Sequence, residues 1–541
     1  MRPSLIAGAV AFALYLPSVG GGFLYDDQRV VVDNRAIRDL HDLRTVLLSE
    51  PARPLLGLTW AVNFALSGLR PWSYHLVNVA IHAANAALVA SLFLWMARRR
   101  GRPGPSGQAT AAACLFAVSP MAVETVAYVS SRSTALAALF ALATLRLAVD
   151  CLTRRAPGRL ALALLCYAAA LASKEEAASV PLFLLLLDYF FVAGGRFEEV
   201  VRRARTHAPF WVLPAAGLVA RRLVTGAWLP PPALGHGRYL LTQAAVFPLY
   251  LLRAVVPLDP AFYRGHPAAS WPPPPAVTVG ILASFVLAAV AVKVRRSRPE
   301  VSLGILWLAA GLVPSSSVVP LKEMAVDHRA YLGSAGVDFG VGSLAWEAGG
   351  VRAVGVLTVL LAGRALHYEW VLADPMRAWA DAVRRVPASA EAQRGLGEAY
   401  AARGDPRAEE ALRRAVTLEP DDYRSWTNLG AFYVATGRMQ EAESAMRAAA
   451  QLAPGDARVR DNLGIVLLGL GREDEAVAEL EAAIDADRSL AQPRIDLAEV
   501  ELRRGHAERA RELLDQAAGL VIDPEDAAAI LALRRQLPEP P

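Results

Sequence analysis

The sequence predicts an all-α protein in two parts: a polytopic membrane bundle of about eleven helical spans, followed by a soluble α-solenoid. Three observations carry that expectation. Of 541 residues, 54% are hydrophobic and only 20% charged, which is more apolar surface than one water-solvated core can bury. Nearly all the long uncharged runs lie before residue 370, whereas from about residue 375 the chain turns Ala/Arg/Glu-rich with a helical period. In that second part small residues recur at a fixed step of 34 residues.

The charge follows the same division. Residues 381–541 hold 21 Arg, no Lys and 30 Asp plus Glu, so the tail is about −9 and residues 1–380 about +14 of the net +5. The positive charge sits in loops between apolar runs, where it signals topology and not a phosphate-binding face, so no nucleic-acid partner is expected. Cys114, Cys151 and Cys166 lie in or beside apolar runs without CxxC spacing and read as packing residues. The first apolar run, Pro3 to Tyr25, lacks a small-residue cleavage site and reads as a retained span.

A helix crossing about 30 Å of hydrocarbon needs roughly 20 apolar residues. That ruler places spans near 4–22, 76–97, 109–129, 133–152, 159–173, 177–193, 207–224, 276–293, 301–320, 336–348 and 351–367. Arginine clusters at 98–102, 154–159 and 202–205 mark cytoplasmic loops. A fourth basic cluster, Lys293 to Arg298, keeps simple alternation only if 239–256 is re-entrant or interfacial. The N-terminus is then cytoplasmic, and both the loop at 23–74 and the tail are extracytoplasmic.

In the tail, Gly430, Gly464 and Ala498 keep the 34-residue step, as do Ala442, Ala476 and Ala510, and Ala449, Ala483 and Ala517. An earlier copy with Gly397, Ala415 and Pro420 runs one residue short. This is the pattern of tetratricopeptide (TPR) hairpins, whose small residues let paired helices approach while stacking buries a continuous core. Four repeats are expected over 390–524, after a linker helix at 371–389 and before a cap at 525–541. Their concave face suits an extended peptide, and a spacer or oligomerisation arm fits equally well.

Ionisable groups at membrane depth are costly and persist where they line a cavity or do chemistry. In FLYDDQRVVVDN, Asp26 and Asp27 follow the first span, and a carboxylate there can take the proton of an acceptor hydroxyl, although a loop pair or helix cap reads as well. RPLLGLTWAVNFALSG sets Arg53 beside an amphipathic stretch, and YHLVNVAIHAANAAL carries His75, Asn78 and His82 on one helix face. Glu124 and Arg132 lie in SPMAVETVAYVSSRSTALAALFAL, Lys174, Glu175 and Glu176 in SKEEAASVPLFLLLLD, and Lys322, Glu323, His328 and Arg329 in LVPSSSVVPLKEMAVDHRAYLGSAG. Three outer loops thus bring a cation and an acid to one level, either as inter-helix ion pairs or as a grip on a lipid phosphate. No residue set completes a metal site.

Taken in order, YDD, RPL, YHLVN, the ETV and SRS stretches, SKE, PSSS, HRAYL and the repeat tail resemble the transmembrane-and-TPR O-mannosyltransferases (TMTC-type) and their bacterial relatives of the GT-C superfamily. The resemblance implies a GT-C-like membrane domain over residues 1–370 and a polyprenyl-phosphate sugar as donor substrate, without a further cofactor. It implies that Asp26 or Asp27 is the catalytic base, and that Arg132, Lys174 and Arg329 stand near the lipid phosphate. Arg53, His75, Asn78, Glu124, Glu175 and His328 are the supporting site residues. Ser119 departs from the pattern, since many relatives have His there.

The expectation is an inverting glycosyltransferase that moves a hexose, mannose foremost, onto a polypeptide hydroxyl at the outer face. The array would hold the acceptor or a partner protein. Two alternatives stay open: a non-catalytic membrane anchor displaying the repeats, and a GT-C enzyme acting on a lipid or glycan. Only three lysines and abundant Ala, Arg and Gly suggest a GC-rich genome, hence a bacterial inner membrane with a periplasmic tail. In a eukaryote the same topology gives the endoplasmic reticulum.

Overall fold

The computed structural model describes residues 2–101, 104–154, 156–226, 235–257, 259–265, 269–318, 323–520 and 524–538. Every regular element among them is a helix. The chain divides into two compact units, Met1–Ala378 and Trp379–Pro541.

In the first unit proline sets many of the helix starts. Pro54, Pro71, Pro105, Pro157, Pro275 and Pro299 each stand in the first turn, where the missing N–H is no loss and the fixed φ favours the helix. Small residues set the packing, because within lipid close backbone approach substitutes for a hydrophobic drive between helices. A Cβ added to Gly342 would lie 2.6 Å from the Ala112 Cα, and one on Gly336 would lie 2.4 Å from the Trp307 Cβ.

Five segments are long and apolar enough to cross a membrane unaided: Pro3–Gly20, Pro71–Arg99, Val129–Cys151, Pro275–Val294 and Asp327–Leu372. A sixth is Pro105–Ala117 with Pro120–Ala127, bent by 47° at Pro120. The remaining expected spans fall on helices that are shorter or less apolar. Pro157–Leu171 has 15 residues and Val180–Phe191 has 12. Ala204–Thr225 contains Pro209 and Pro214, and Pro299–Val313 passes at Pro314 into a short π-helical turn.

One further expectation narrows. The segment expected to be re-entrant or interfacial is one continuous 20-residue helix, His236–Val255, packed on Pro275–Val294, which removes the re-entrant form and leaves the interfacial one. The two last spans, by contrast, are two helices within Tyr331–Leu372 that meet at a break at Gly349 and Gly350, between the expected 336–348 and 351–367, and Gly350 there has φ +56°. Only glycine adopts that conformation without steric cost.

The second unit contains the four expected hairpins: Ala390–Ala401 with Arg407–Leu418, Tyr423–Ala435 with Met439–Leu452, Ala457–Gly469 with Glu473–Ala486, and Gln492–Arg503 with Ala507–Ala518. Each turns at a left-handed glycine, Gly404, Gly437, Gly471 and Gly505, spaced 33, 34 and 34 residues apart, which explains the short first period. Within the hairpins Gly430 faces Met446 and Gly464 faces Leu480. Arg438 pairs with Glu409 at 2.8 Å, and Arg472 repeats the contact with Glu443 one repeat later.

Candidate active site

The site begins where the first membrane helix ends. After the turn Leu16–Gly20, Tyr25 takes φ +50°, a left-handed conformation that costs an aromatic residue about 1–3 kcal/mol and clusters at functional positions. The two acids that follow differ in burial. Asp27 is fully buried, its carboxylate accepting from Leu24 N at 3.0 Å and Ser130 N at 2.7 Å. Burial pushes Asp27 up to about 7, against the lowering effect of the Leu24 and Ser130 amides. Asp26 is half-buried and its amide donates to the Tyr128 hydroxyl at 2.9 Å. The loop is thereby clipped to the 128–130 turn at both acids.

Behind that turn lies Arg132, with no exposed surface. Its Nε donates to Asn78 Oδ1 at 2.8 Å, one terminal nitrogen to Asn63 Oδ1 at 2.7 Å and Thr59 Oγ1 at 3.2 Å, and the other to the Tyr74 carbonyl at 2.9 Å. One guanidinium therefore ties Pro54–Ser67, Pro71–Arg99 and Arg132–Cys151 together. This geometry differs from a phosphate grip, because its donors face protein acceptors. Asn78 in turn donates to the Val126 and Tyr128 carbonyls, both at 3.3 Å. His75 Nε2 lies 3.3 Å from the Gly22 carbonyl, and deeper on the same face His82 Nδ1 meets the Tyr331 hydroxyl at 2.6 Å.

A second cluster flanks the five-residue helix Val123–Ala127. Glu124 binds His328 twice, through Nδ1 at 2.6 Å and the backbone N–H at 3.1 Å. Lys174 is buried and donates to Thr134 Oγ1 at 2.7 Å, with Glu176 at 3.2 Å. Burial lowers the Lys174 pKa and Glu176 partly restores it. Arg53 holds Glu175 at 3.0 Å. Burial alone would raise Glu175, but Arg53 and Lys174 hold it down to about 2. Lys174 and Arg264 act electrostatically on Glu124, and Lys174 also acts on His328, so the structure draws the segments around 124, 174 and 328 together.

The third cluster contains residues that the sequence did not single out. Buried Asp327 accepts from Arg264 at 2.7 and 3.1 Å and from Ala261 N at 3.0 Å, with Arg253 at 4.0 Å. Arg329 is buried beside them, donating to the Glu323 carbonyl at 2.7 Å. Arg253 lies in the last turn of the helix His236–Val255 and Arg264 follows in a proline-rich loop. Their only signal was charge within an aromatic stretch. Lys322 lies outside the described residues. No group of three or more His, Cys, Asp or Glu among the described residues is arranged to hold a metal ion.

Fold and site together define a polytopic helical membrane protein with a tetratricopeptide array. Two tetratricopeptide-repeat family models match, over residues 421–489 and 377–406, the second starting ahead of the expected first repeat. Human protein O-mannosyl-transferase TMTC2 is 33% identical over 158 residues, covering 27% of this chain and 18% of the human protein. Drosophila melanogaster protein O-mannosyl-transferase Tmtc1 is 31% identical over 207 residues, 36% of this chain and 23% of that one. The chain thus spans about a fifth of the length of these relatives. Among solved structures, Pseudomonas aeruginosa PilF is 23% identical with a TM-score of 0.27, over 30% of this chain and 80% of that chain. The chain is similar to protein O-mannosyl-transferases of the TMTC type, as the order of its motifs implied.

Proposed function

We propose that this protein is a membrane glycosyltransferase that moves a hexose from a polyprenyl phosphate to a polypeptide hydroxyl on the extracytoplasmic face of a bacterial inner membrane. The hexose is mannose, following the names its relatives carry. The observation that carries the reading is the Asp26–Asp27 pair, held on a left-handed Tyr25 at the end of a membrane helix.

In this reaction Asp26 takes the acceptor hydroxyl proton as that oxygen attacks C1 of the sugar. The C1–O bond to phosphate breaks, the polyprenyl phosphate leaves with the electron pair, and the anomeric centre inverts. The leaving phosphate gains charge, which cations fixed in a low-dielectric site stabilise more than water would. Lys174, Arg329, Arg253 and Arg264 have that role. Asp27 and Arg132 are positioning residues: the first holds the acid loop, the second the helices behind it. The repeat array holds the acceptor chain.

Purified full-length protein incubated with labelled polyprenyl-phosphate sugars and periplasmic extract tests the reading. Mannose is expected to move to protein, and Asp26→Asn to abolish the transfer. If no sugar moves from any donor while the folded protein still captures partners through its repeats, the anchor reading replaces this one. Reporter fusions at Arg100, Arg203 and Ala450 test the orientation, with only the Ala450 reporter expected outside.

A further inference from the structure

The two helices that carry Asn78 and Arg132 also build a second cavity at their other ends. Pro71–Arg99 and Arg132–Cys151 pack together and run parallel, as the successive contacts Arg132 to Asn78, Asn85 to the Ala135 carbonyl and Arg146 to Ser91 require. At about 1.5 Å per residue, the 29 residues of the longer helix outreach the roughly 30 Å hydrocarbon layer. The cavity therefore lies on the membrane face opposite the carboxylate loop. It measures about 510 Å³, and its walls include Leu94, Trp95, Arg98, Arg99, Arg146 and Arg154.

The charge of this cavity is not balanced. Asp150 is the one acid lining it, and it is engaged by Arg159, from outside the lining, and by Arg146 at 3.4 Å. Arg146 also donates to Ser91 Oγ at 3.0 Å, which fixes it in the wall. Arg99 lies over the Trp95 ring, 5.4 Å from its centroid. Arg98 and Arg154 are exposed, and neither side chain has a hydrogen bond or ion pair among the described residues. The lining thus combines four arginines with an indole and a leucine. Indoles settle at the level of lipid headgroups, basic pockets between membrane helices recognise anionic headgroups, and arginine forks match phosphate oxygens.

We propose that this cavity binds the phosphate-bearing headgroup of an anionic membrane lipid, on the face opposite the candidate active site. The inference does not depend on the carboxylate loop transferring a sugar. Full-length protein in detergent, titrated with phosphatidylglycerol or phosphatidylcholine and read by native mass spectrometry, tests it. Phosphatidylglycerol is expected to bind in preference. Arg98→Gln with Arg154→Gln should weaken it roughly thirtyfold, about fivefold per arginine, and the Lys pair at the same positions should restore most of the affinity. Both residues are exposed, so the double variant keeps its fold, checked by its elution profile. Parental affinity in the Gln pair, or equal binding of phosphatidylcholine, overturns the proposal. Competition with glycerol phosphate separates the sources: displacement of the lipid at equal concentration would assign the cavity to a soluble phosphate and overturn the lipid reading.

Discussion

Replacing Arg132 with Ala separates a structural guanidinium from one that touches substrate. The side chain is wholly buried and its loss strands the Asn78 and Asn63 side-chain oxygens, which accept from it at 2.8 and 2.7 Å, whereas the Tyr74 carbonyl lies within the helix Pro71–Arg99 and keeps its helical partner. A buried acceptor left unpaired costs about 1–3 kcal/mol. Two such acceptors bound the loss at about 2–6 kcal/mol, and water entering the vacated space brings it toward the lower end. Thr59 also loses a donor at 3.2 Å. The assay is thermal unfolding of the detergent-solubilised protein, followed by tryptophan fluorescence and by loss of the monodisperse peak, with donor KM measured on the surviving fraction. The expected result is a large drop in thermal midpoint with donor KM unchanged in whatever remains folded. An Arg132→Ala protein of parental stability with a donor KM raised tenfold or more would refute the positioning role and return Arg132 to the phosphate.

Asp26→Asn should lower turnover by about 10² to 10⁴ with donor binding retained, measured by single-turnover transfer of labelled sugar; parental turnover in folded protein would remove the base from the mechanism. Burial raises Asp27 from its ordinary 3.8 to about 7, so across that interval the folded loop keeps a proton the unfolded chain has released, and stability falls as pH rises through it. Thermal midpoints between pH 4 and pH 8 should show this decline in the parent and a flatter profile in Asp27→Asn. Arg264→Ala should raise donor KM and loosen Asp327, which keeps the Ala261 amide and distant Arg253; unchanged donor kinetics would exclude it from the phosphate site. Gly464→Val, whose Cβ would lie 2.9 Å from Leu480, should destabilise the repeat array by about 1–3 kcal/mol, read by chemical denaturation of the full chain.

The division into an apolar bundle and a repeat array was legible because lipid solvation and a 34-residue period both leave one-dimensional traces. The acids at 26 and 27 and the clusters at 124, 174 and 328 were legible for a related reason, since charge beside an apolar run stands out. What Arg132 faces was not. An arginine at a helix start has the same sequence signature whether it meets solvent or two asparagines 54 and 69 residues away. Arg253 and Arg264 were hidden by a proline-rich, aperiodic neighbourhood in which no face could be assigned. The break at Gly349–Gly350 was legible as the gap between two apolar runs, whereas the 47° bend before Pro120 was not, because hydropathy averaged over a window passes smoothly across it.

Tyr25 sets two kinds of selection against each other. Glycine at that position would relieve the backbone and make the folded chain more stable, because the left-handed conformation that strains an aromatic residue is ordinary for it. The same exchange would free the two carboxylates to wander from the 128–130 turn that now clips them. A library screened for heat resistance should therefore enrich glycine at residue 25, and one screened for sugar transfer should discard it. The position is one where a gain in robustness is expected to coincide with a loss of chemistry.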